Sequence, residues 1–303
     1  MLQVPDVVAA KAQAHGVDAW IDELPDLVAR IAGEWSLTVG EVLDGGTEAL
    51  VVAVGRRDDS PAVLKLLVPG RGPAALAEIQ ALQLDAGRGC AALYSADLEI
   101  GALLIEHLGP SMHDLGVPIE QRHVALCAAA QRMWHKVPSQ RLTTGAQKGR
   151  WLVDFIDDRQ QRLDRPCSPR VMAEAFECAA RRVAAHDDRR AVLVHGDVHE
   201  WNALRVEGAA ADDAPWKLID PDGLFAEPEY DLGVMMREDP VELLDGDPRE
   251  RAARLAEWTG TDAQAIWEWG VVERVACGLL AVEIGLQPVG DQMLAAAEAL
   301  VGA

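Results

Sequence analysis

The stretch Leu193-Val-His-Gly-Asp-Val-His-Glu-Trp-Asn202, followed by Leu218-Ile-Asp-Pro-Asp-Gly223, decides the fold of this 303-residue chain. The first stretch contains a carboxylate at Asp197 and an amide at Asn202, and the second adds a carboxylate at Asp220. Transfer of a phosphoryl group to an alcohol requires a carboxylate that orients the hydroxyl and accepts its proton, together with ligands for a metal ion. Magnesium prefers oxygen ligands, typically a carboxylate or an amide plus the substrate phosphates. These three residues therefore form a candidate set of one base and two metal ligands.

Part of the same stretch admits a second interpretation. His195, Asp197 and His199 form the pattern H-x-D-x-H, whose residue types and spacing would suit the metal triad of a hydrolase. No further cluster of histidine or cysteine in the sequence completes such a site. We therefore favour structural roles for the two histidines over metal binding.

The apolar pattern on either side predicts strands first and helices afterwards. A helix over 19–32 is expected to begin at or near Pro25. Five strands are expected at 37–43, 49–54, 62–68, 91–99 and 102–108, with a helix at 73–84. Helices follow at 119–186, then a β-rich stretch at 192–219 with a surface hairpin loop at 208–215, then more helices. This order predicts an α+β fold with a small β-rich N-lobe at 1–108 and a larger helical C-lobe at 109–303.

Composition constrains the partners of the chain. It carries 28 basic against 49 acidic residues, a formal net charge of −21. Nucleic-acid binding depends on clustered Lys and Arg side chains, so this balance argues against a nucleic-acid partner. An acidic field favours a cationic small molecule and speeds its encounter with the protein, although many soluble proteins are acidic merely for solubility.

The remaining global features predict a cytoplasmic protein. No apolar run is long enough to span a membrane, and the N-terminus has no basic stretch ahead of an apolar segment. Five cysteines without C-x-x-C spacing fit neither a disulfide framework nor a zinc knuckle, and they suit a reducing compartment. We expect a monomer or a weak homodimer.

The two central stretches resemble a known family. H-G-D-x-H-x-x-N followed by I-D-P-x-G is similar to the catalytic and metal-binding loops of the aminoglycoside phosphotransferases, which have a bilobal protein-kinase-like fold with an antiparallel N-lobe sheet. The form I-D-P-x-G-L looks most like the streptomycin 6-kinase and hydroxyurea phosphotransferase branch. The resemblance implies that Asp197 is the catalytic base and that Asn202 and Asp220 bind Mg²⁺. It also implies that His195 braces the catalytic loop and that His199 shapes it near the phosphate.

The same resemblance assigns a nucleotide site for ATP or GTP. Lys65, on the third predicted strand, would contact the α- and β-phosphates and pair with Glu78, which fixes its direction. The turn at 44–48 would cover the phosphates, and 106–108 would offer backbone groups to the adenine. The candidate nucleotide-binding residues in these two segments are Gly45, Gly46, Thr47, Glu106 and Leu108. In Glu229-Tyr-Asp-Leu-Gly233, the aspartate matches the one that buttresses the catalytic loop in the family.

Candidate acceptor-binding residues lie on the predicted C-terminal helices and beside the two loops. Glu268 and Glu283 could pair with ammonium or guanidinium groups, although a solvated carboxylate is the more ordinary interpretation, and Trp267 and Trp269 suit a core better than a binding site. His199 is a further candidate. Asp222 is also a candidate. It adds a third carboxylate beside the metal loop, which raises the question of how the negative charge of this side chain is balanced.

The expected activity is phosphoryl transfer to a hydroxyl of an aminoglycoside-like antibiotic of the streptomycin type. Hydroxyurea, a peptide antibiotic such as viomycin, or a metabolic amino-alcohol or sugar would use the same chemistry. A nucleotide-binding pseudokinase scaffold is the alternative from another class of protein. A protein kinase is disfavoured, because the sequence has no A-P-E segment after Asp220.

Overall fold

The central strand of the first sheet, β3, is buried along six of its seven residues, and it determines how the N-terminal part of the chain packs. In the computed structural model, which describes residues 3–44, 46, 48–70, 73–138, 142–209 and 215–301, this strand belongs to a five-stranded antiparallel sheet. The order across the sheet is β1-β2-β3-β5-β4. The strands are β1 Thr38–Val42, β2 Ala49–Gly55, β3 Pro61–Leu67, β4 Leu93–Asp97 and β5 Ala102–Glu106.

Two helices precede this sheet and share its core. They are α1 Asp6–Ala14 and α2 Asp18–Trp35, and a third, α3 Pro73–Asp85, follows β3. The prediction that α2 begins near Pro25 is wrong, because the proline lies inside the helix. Burial of one face at helical spacing outweighs the single backbone hydrogen bond that an internal proline forfeits. That face consists of Trp20, Leu24, Val28 and Ile31, which join Leu50, Val52, Leu64 and Leu66 of the sheet in one apolar cluster.

The chain divides into two compact units, Met1–Gly109 and Pro110–Ala303. Within the second unit, helices account for most of the described residues. They are α4 Ile119–Met133, α5 Gly145–Arg162, α6 Pro169–Ala185, α7 Glu229–Arg237, α8 Pro240–Leu243, α9 Pro248–Thr259, α10 Ala263–Glu283 and α11 Val289–Leu300. Trp269 of α10 lies in an apolar cluster with residues of α5, α6, α7 and α11. None of the helices in the described ranges has the length and apolar character that crossing a bilayer requires.

Short strands in the second unit position the two loops that the sequence singled out. A small sheet of order β6-β10-β7 contains β6 Thr143–Thr144, β7 Val192–Val194 and β10 Leu224–Ala226, and a hairpin pairs β8 Ala203–Arg205 with β9 Trp216–Leu218. The loop 195–202 leaves β7 and ends in β8, whereas the loop 219–223 connects β9 to β10. Between these two loops, Gly223 N donates to His195 O at 3.0 Å and Ile219 N donates to Asn202 O at 2.9 Å. Of the predicted hairpin loop at 208–215, residues 210–214 lie outside the described residues.

Helices α7 and α10 approach each other closely at a pair of glycines. A Cβ atom added at Gly233 would lie 2.2 Å from Cβ of Trp269, and one added at Gly270 would lie 2.6 Å from Cβ of Met236. Contacts this short are not tolerated between real carbon atoms. The absence of a side chain at Gly233 therefore permits the packing that joins α7 to the core of the second unit.

We expect Gly233→Ala to lower the free energy of unfolding by about 1–3 kcal/mol or more, because the added methyl group forces α7 away from α10. Urea unfolding followed by circular dichroism measures this change. Gly246→Ala is the matched control, since no heavy atom lies within 4 Å of the added Cβ there. A Gly233→Ala protein as stable as this control would contradict the packing argument.

Candidate active site

Asp231, at the start of α7, holds the backbone of the loop that contains Asp197. Its carboxylate accepts hydrogen bonds from His195 N at 3.1 Å, Gly196 N at 2.7 Å and Trp134 Nε1 at 2.8 Å. Gly196 has a φ of +91°, and a Cβ there would lie 2.8 Å from Cβ of Asp222, so glycine is required at this position. The geometry confirms the predicted buttressing role of Asp231.

His195 connects the two loops through both nitrogens of its buried ring. Nδ1 accepts a hydrogen bond from Asp197 N at 3.1 Å, and Nε2 lies 2.9 Å from Ile219 O. Because a carbonyl oxygen can only accept, Nε2 carries the proton in this arrangement. His195 therefore braces the loops, as the family resemblance implies, and neither of its nitrogens is available to a metal ion.

Asp197 is surrounded by donors and yet remains partly accessible. Its Oδ1 accepts a close hydrogen bond from Arg237 Nη2, and its Oδ2 lies 3.1 Å from His199 Nε2 and 3.1 Å from Asn202 Nδ2. Its side chain keeps 31% of its surface exposed. Burial raises the pKa of Asp197, but the charges of His199 and Arg237 outweigh that effect and hold the pKa well below its usual range. The carboxylate is therefore ionised near neutral pH, as a proton acceptor must be.

His199 is tied to this carboxylate and to the loop backbone. Its Nδ1 accepts a hydrogen bond from Trp201 N at 3.3 Å, while Nε2 faces Asp197. Burial lowers the pKa of His199, but the adjacent Asp197 carboxylate more than compensates and raises it. The side chain thus shapes the loop around the carboxylate.

Asn202 and Asp220 present the oxygen donors that suit magnesium. The Asn202 side-chain nitrogen donates to Asp197 O and Oδ2, both at 3.1 Å, so the amide oxygen is the atom that could bind a metal ion. Asp220 is exposed and has a φ of +58°, a left-handed conformation that aspartate tolerates better than most residues. An amide oxygen and a carboxylate fit the preference of Mg²⁺ for hard oxygen ligands.

The side-chain arrangement gives no support to the alternative of a histidine–aspartate metal triad. Among the residues that the structure describes, no group of three or more His, Cys, Asp or Glu side chains is arranged to hold a metal ion. The two histidines of the motif are instead used in hydrogen bonds within the loops.

Lys148 answers the question of how the extra carboxylate at Asp222 is balanced. Its Nζ lies 3.1 Å from Asp222 Oδ2 and 4.7 Å from the ring centroid of the exposed Trp151. Burial lowers the pKa of Lys148, but the charges of Asp222, Glu273 and Asp197 outweigh burial and raise it. Lys148 stays protonated, so the loop beside Asp220 does not carry an uncompensated negative charge at Asp222.

In the first unit, Lys65 of β3 forms a buried ion pair with Glu78 of α3. The Nζ–Oε1 distance is 2.5 Å, and the two side chains are only 6% and 5% exposed. Lys65 lies opposite Val51 of β2 and Leu103 of β5 in the sheet, so neighbouring strands fix its backbone on both sides. The structure thus brings this predicted lysine and glutamate together.

The structure describes three of the other five residues predicted to bind the nucleotide. Gly45 and Thr47 lie outside the described residues. Gly46 is described, and a Cβ there would lie 2.5 Å from Ala49 O, so this position in the turn requires glycine. Glu106 Oε2 accepts a hydrogen bond from Ala92 N at 2.9 Å, so the side chain braces the segment before β4. Leu108 is buried, and the expected contact of 106–108 with the adenine through backbone groups stays a prediction.

The two acidic residues predicted to bind the acceptor are already used by arginines. Glu268 is buried, and its two oxygens lie 2.6 Å from Arg181 Nε and 2.5 Å from Arg182 Nε. Glu283 lies 3.0 Å from Arg159 Nε and 2.5 Å from Arg162 Nη1. A cationic acceptor would therefore have to compete with these arginines for either carboxylate. Trp267 and Trp269 are buried, in agreement with a core role.

Three residues near Asp197 escaped the sequence analysis. Arg237 and Lys148 contact the loops from α7 and α5. Spacing along the sequence does not predict contacts between such distant positions. Trp201, in contrast, stands inside the motif itself. Its ring is 53% exposed and stacks on His113, with ring centroids 3.4 Å apart and planes inclined by 19°. An exposed indole in a functional loop was a signal that could have been used.

The Lys65–Glu78 pair yields a stability prediction. Glu78→Gln should lower the free energy of unfolding by about 3–5 kcal/mol, because it removes a buried carboxylate that pairs with the Lys65 ammonium group at 2.5 Å. The double variant Lys65→Met, Glu78→Leu should recover much of that loss, since it removes both charges and keeps the volume. Urea unfolding of the single and double variants tests this expectation. Additive losses in the double variant would show that the two charges do not stabilise each other.

Comparison with known proteins supports the fold and the family resemblance. A model of the family described as aminoglycoside/hydroxyurea antibiotic resistance kinase matches residues 34–283. A streptomycin 6-kinase of Streptomyces glaucescens is 27% identical over 315 residues, which cover 100% of this chain and 98% of that protein. A hydroxyurea phosphotransferase of Kitasatospora aureofaciens is 29% identical over 287 residues, which cover 93% of this chain and 80% of that protein.

A solved structure shows the same fold at low sequence identity. A choline/ethanolamine kinase family protein from Mesorhizobium loti superposes with a TM-score of 0.64 at 16% identity, covering 92% of this chain and 95% of that one. The antiparallel sheet followed by a mainly helical unit is the protein-kinase-like arrangement that the motifs implied. Because the family model spans most of the chain, from before β1 to the end of α10, the chain belongs to the aminoglycoside/hydroxyurea antibiotic resistance kinases.

Proposed function

We propose that this kinase transfers the γ-phosphoryl group of ATP to a hydroxyl of an aminoglycoside-like antibiotic of the streptomycin type. The observation that carries the proposal is the environment of Asp197, an ionised and partly exposed carboxylate held by His199, Asn202 and Arg237. The acceptor class is supported by full-length similarity to a streptomycin 6-kinase, and the net charge of −21 would favour the approach of a cationic substrate.

The hydrogen bonds of Asp197 single out one of its oxygens for the acceptor. An ionised carboxylate offers about two acceptor positions on each oxygen. Among the residues that the structure describes, His199 and Asn202 occupy both positions on Oδ2, whereas Arg237 occupies one on Oδ1. Oδ1 therefore keeps an open position at which it can orient the acceptor hydroxyl and take its proton as the oxygen attacks phosphorus.

The remaining residues of the motif would serve the nucleotide. Asn202 and Asp220 would hold Mg²⁺, which neutralises phosphate charge when it is bound. His195 keeps the two loops together, so that the base and the metal ligands retain their spacing. Lys65 would contact the α- and β-phosphates, with Glu78 fixing its direction. ATP or GTP would suit these roles equally.

Asp197→Asn should lower phosphoryl transfer by about 10²–10⁴-fold, because the amide cannot accept the proton of the hydroxyl. ADP release with Mg²⁺-ATP and streptomycin measures the rate, and calorimetric titration with nucleotide should show unchanged binding. Asp26→Asn, at an exposed position of α2, is the matched control and should retain full activity. Near-normal turnover in Asp197→Asn would refute the assignment of the base.

Asp220→Asn should raise the Mg²⁺ concentration needed for half-maximal ADP release, because an anionic oxygen ligand is lost. A chelator such as EDTA should abolish release by the unaltered protein, and added Mg²⁺ should restore it. Asp245→Asn, in an exposed turn of the second unit, serves as the control. An unchanged Mg²⁺ requirement in Asp220→Asn would remove this residue from the metal site.

Hydroxyurea is a second candidate acceptor, favoured by the family description and by the 29% identical hydroxyurea phosphotransferase. A panel containing streptomycin, hydroxyurea, viomycin and representative amino-alcohols and sugars separates these acceptors by ADP release. Retention of Lys65, Asp197, Asn202 and Asp220 argues against a pseudokinase scaffold. Nucleotide binding without ADP release for every acceptor would favour that alternative.

A further inference from the structure

Arg237, the last residue of α7, has no chemical step in the mechanism above and yet touches the proposed base. Its guanidinium contacts Asp197 Oδ1, lies 2.9 Å from Glu238 Oε1 and lies 3.3 Å from Glu273 Oε2. The side chain is 11% exposed. An arginine remains charged at all ordinary pH values and presents several donors in a rigid plane, so it can bind more than one carboxylate in a defined geometry.

Glu273, on α10, fixes the direction of this guanidinium. It is almost completely buried, and its other oxygen accepts a close hydrogen bond from the hydroxyl of Tyr230, which is itself fully buried. Tyr230 and Arg237 are seven residues apart on α7, and therefore lie on the same face of that helix. Glu273 thus receives donors from both ends of α7, which leaves the guanidinium little freedom to turn away from Asp197.

The plane of the Asp197 carboxylate depends on a donor at each oxygen. The torsion that rotates a carboxylate about its Cβ–Cγ bond has broad minima, so the side chain does not set this plane by itself. His199 and Asn202 both contact Oδ2. Among the hydrogen bonds described for Asp197, the one that restrains Oδ1 comes from Arg237.

We propose that Arg237 is a positioning residue for the base. It directs the open acceptor position of Asp197 Oδ1 towards the incoming hydroxyl, and Glu273 and Tyr230 anchor it from α10 and α7. This inference rests on the proposed function, because it assigns to Asp197 the role of accepting the proton. It differs from simple charge balance, which would require a cation near Asp197 but no particular orientation of the carboxylate.

Kinetics of Arg237→Gln test the inference. The variant should lower kcat by about 10²-fold, because misplacement of a reacting group by a fraction of an ångström to one ångström has effects of this size. KM for ATP and for the acceptor should change by less than about threefold, since neither ligand contacts Arg237 in the proposal. Arg237→Lys should still lose part of kcat, although less than Arg237→Gln, because an ammonium keeps the charge that simple charge balance requires but lacks the planar donors that orient the carboxylate. Arg189→Gln, at a highly exposed position, is the control.

Chemical rescue separates positioning from a structural role. Guanidinium ion at concentrations that do not denature the protein should partly restore kcat in Arg237→Ala, because it can occupy the space between Asp197 and Glu273. Tyr230→Phe should also lower kcat, but by a smaller factor than the Arg237 variants, since it removes the hydrogen bond that the tyrosine hydroxyl donates to Glu273. If Arg237→Gln and Arg237→Ala do not fold, as judged by circular dichroism, then Arg237→Lys and Tyr230→Phe decide the question.

The outcomes are distinguishable. Unchanged kcat in the folded Arg237 variants would overturn the inference while leaving the proposed function intact. A raised KM with unchanged kcat would also overturn it, because Arg237 would then bind a substrate rather than position the base. Absence of transfer by the unaltered protein with every acceptor would overturn the proposed function itself, and the role of Arg237 with it.

Discussion

The carboxylate of Asp231 is the group on which the rest of the active loop depends. Burial raises its pKa, while the three hydrogen bonds donated by His195, Gly196 and Trp134 favour its ionised form. Two of those donors are backbone N–H groups in a loop that belongs to neither helix nor sheet, and such groups need a buried acceptor. With both N–H groups hydrogen-bonded to Asp231, Gly196 can keep its left-handed backbone conformation, and this fixes the position of the Asp197 backbone that follows it.

Charge in and around the proposed machinery is organised as pairs rather than as an acidic basin. Lys65 pairs with Glu78, Lys148 with Asp222, and Arg237 with Asp197. Removing charges from water is unfavourable unless an opposite charge and good hydrogen bonds compensate for it, so each pair permits a functional group to remain charged while partly or fully buried. The chain is strongly acidic as a whole, but Lys148 and Arg237 partly neutralise the carboxylates of Asp222 and Asp197 in the loops. Attraction of a cationic acceptor therefore cannot rest on these residues alone.

The sequence predicted those features that depend on adjacent residues. The succession of strands along the chain, and the placing of Asp197 and Asn202 in one loop, follow from motifs or periodicity within a few residues. It did not show that Glu283 and Glu268 pair with arginines of α5 and α6, because helical spacing places a carboxylate on a helix face but does not identify its partner. It missed Arg237 and Lys148, which contact the loops from 40 and 74 residues away along the chain. Such contacts depend on how helices pack, and local patterns do not contain that information.

One helix therefore holds the base in two different ways. The first turn of α7 provides Asp231, which accepts hydrogen bonds from the backbone N–H groups of His195 and Gly196 at the start of the loop. The last residue of α7 is Arg237, which restrains the side chain of Asp197. Between them, Gly233 allows α7 to lie against Trp269 of α10. Because a helix is stiff over nine residues, any shift of α7 relative to α10 would move both supports together. The geometry of the base is thus coupled to the packing of α7 against α10 at Gly233 and Trp269.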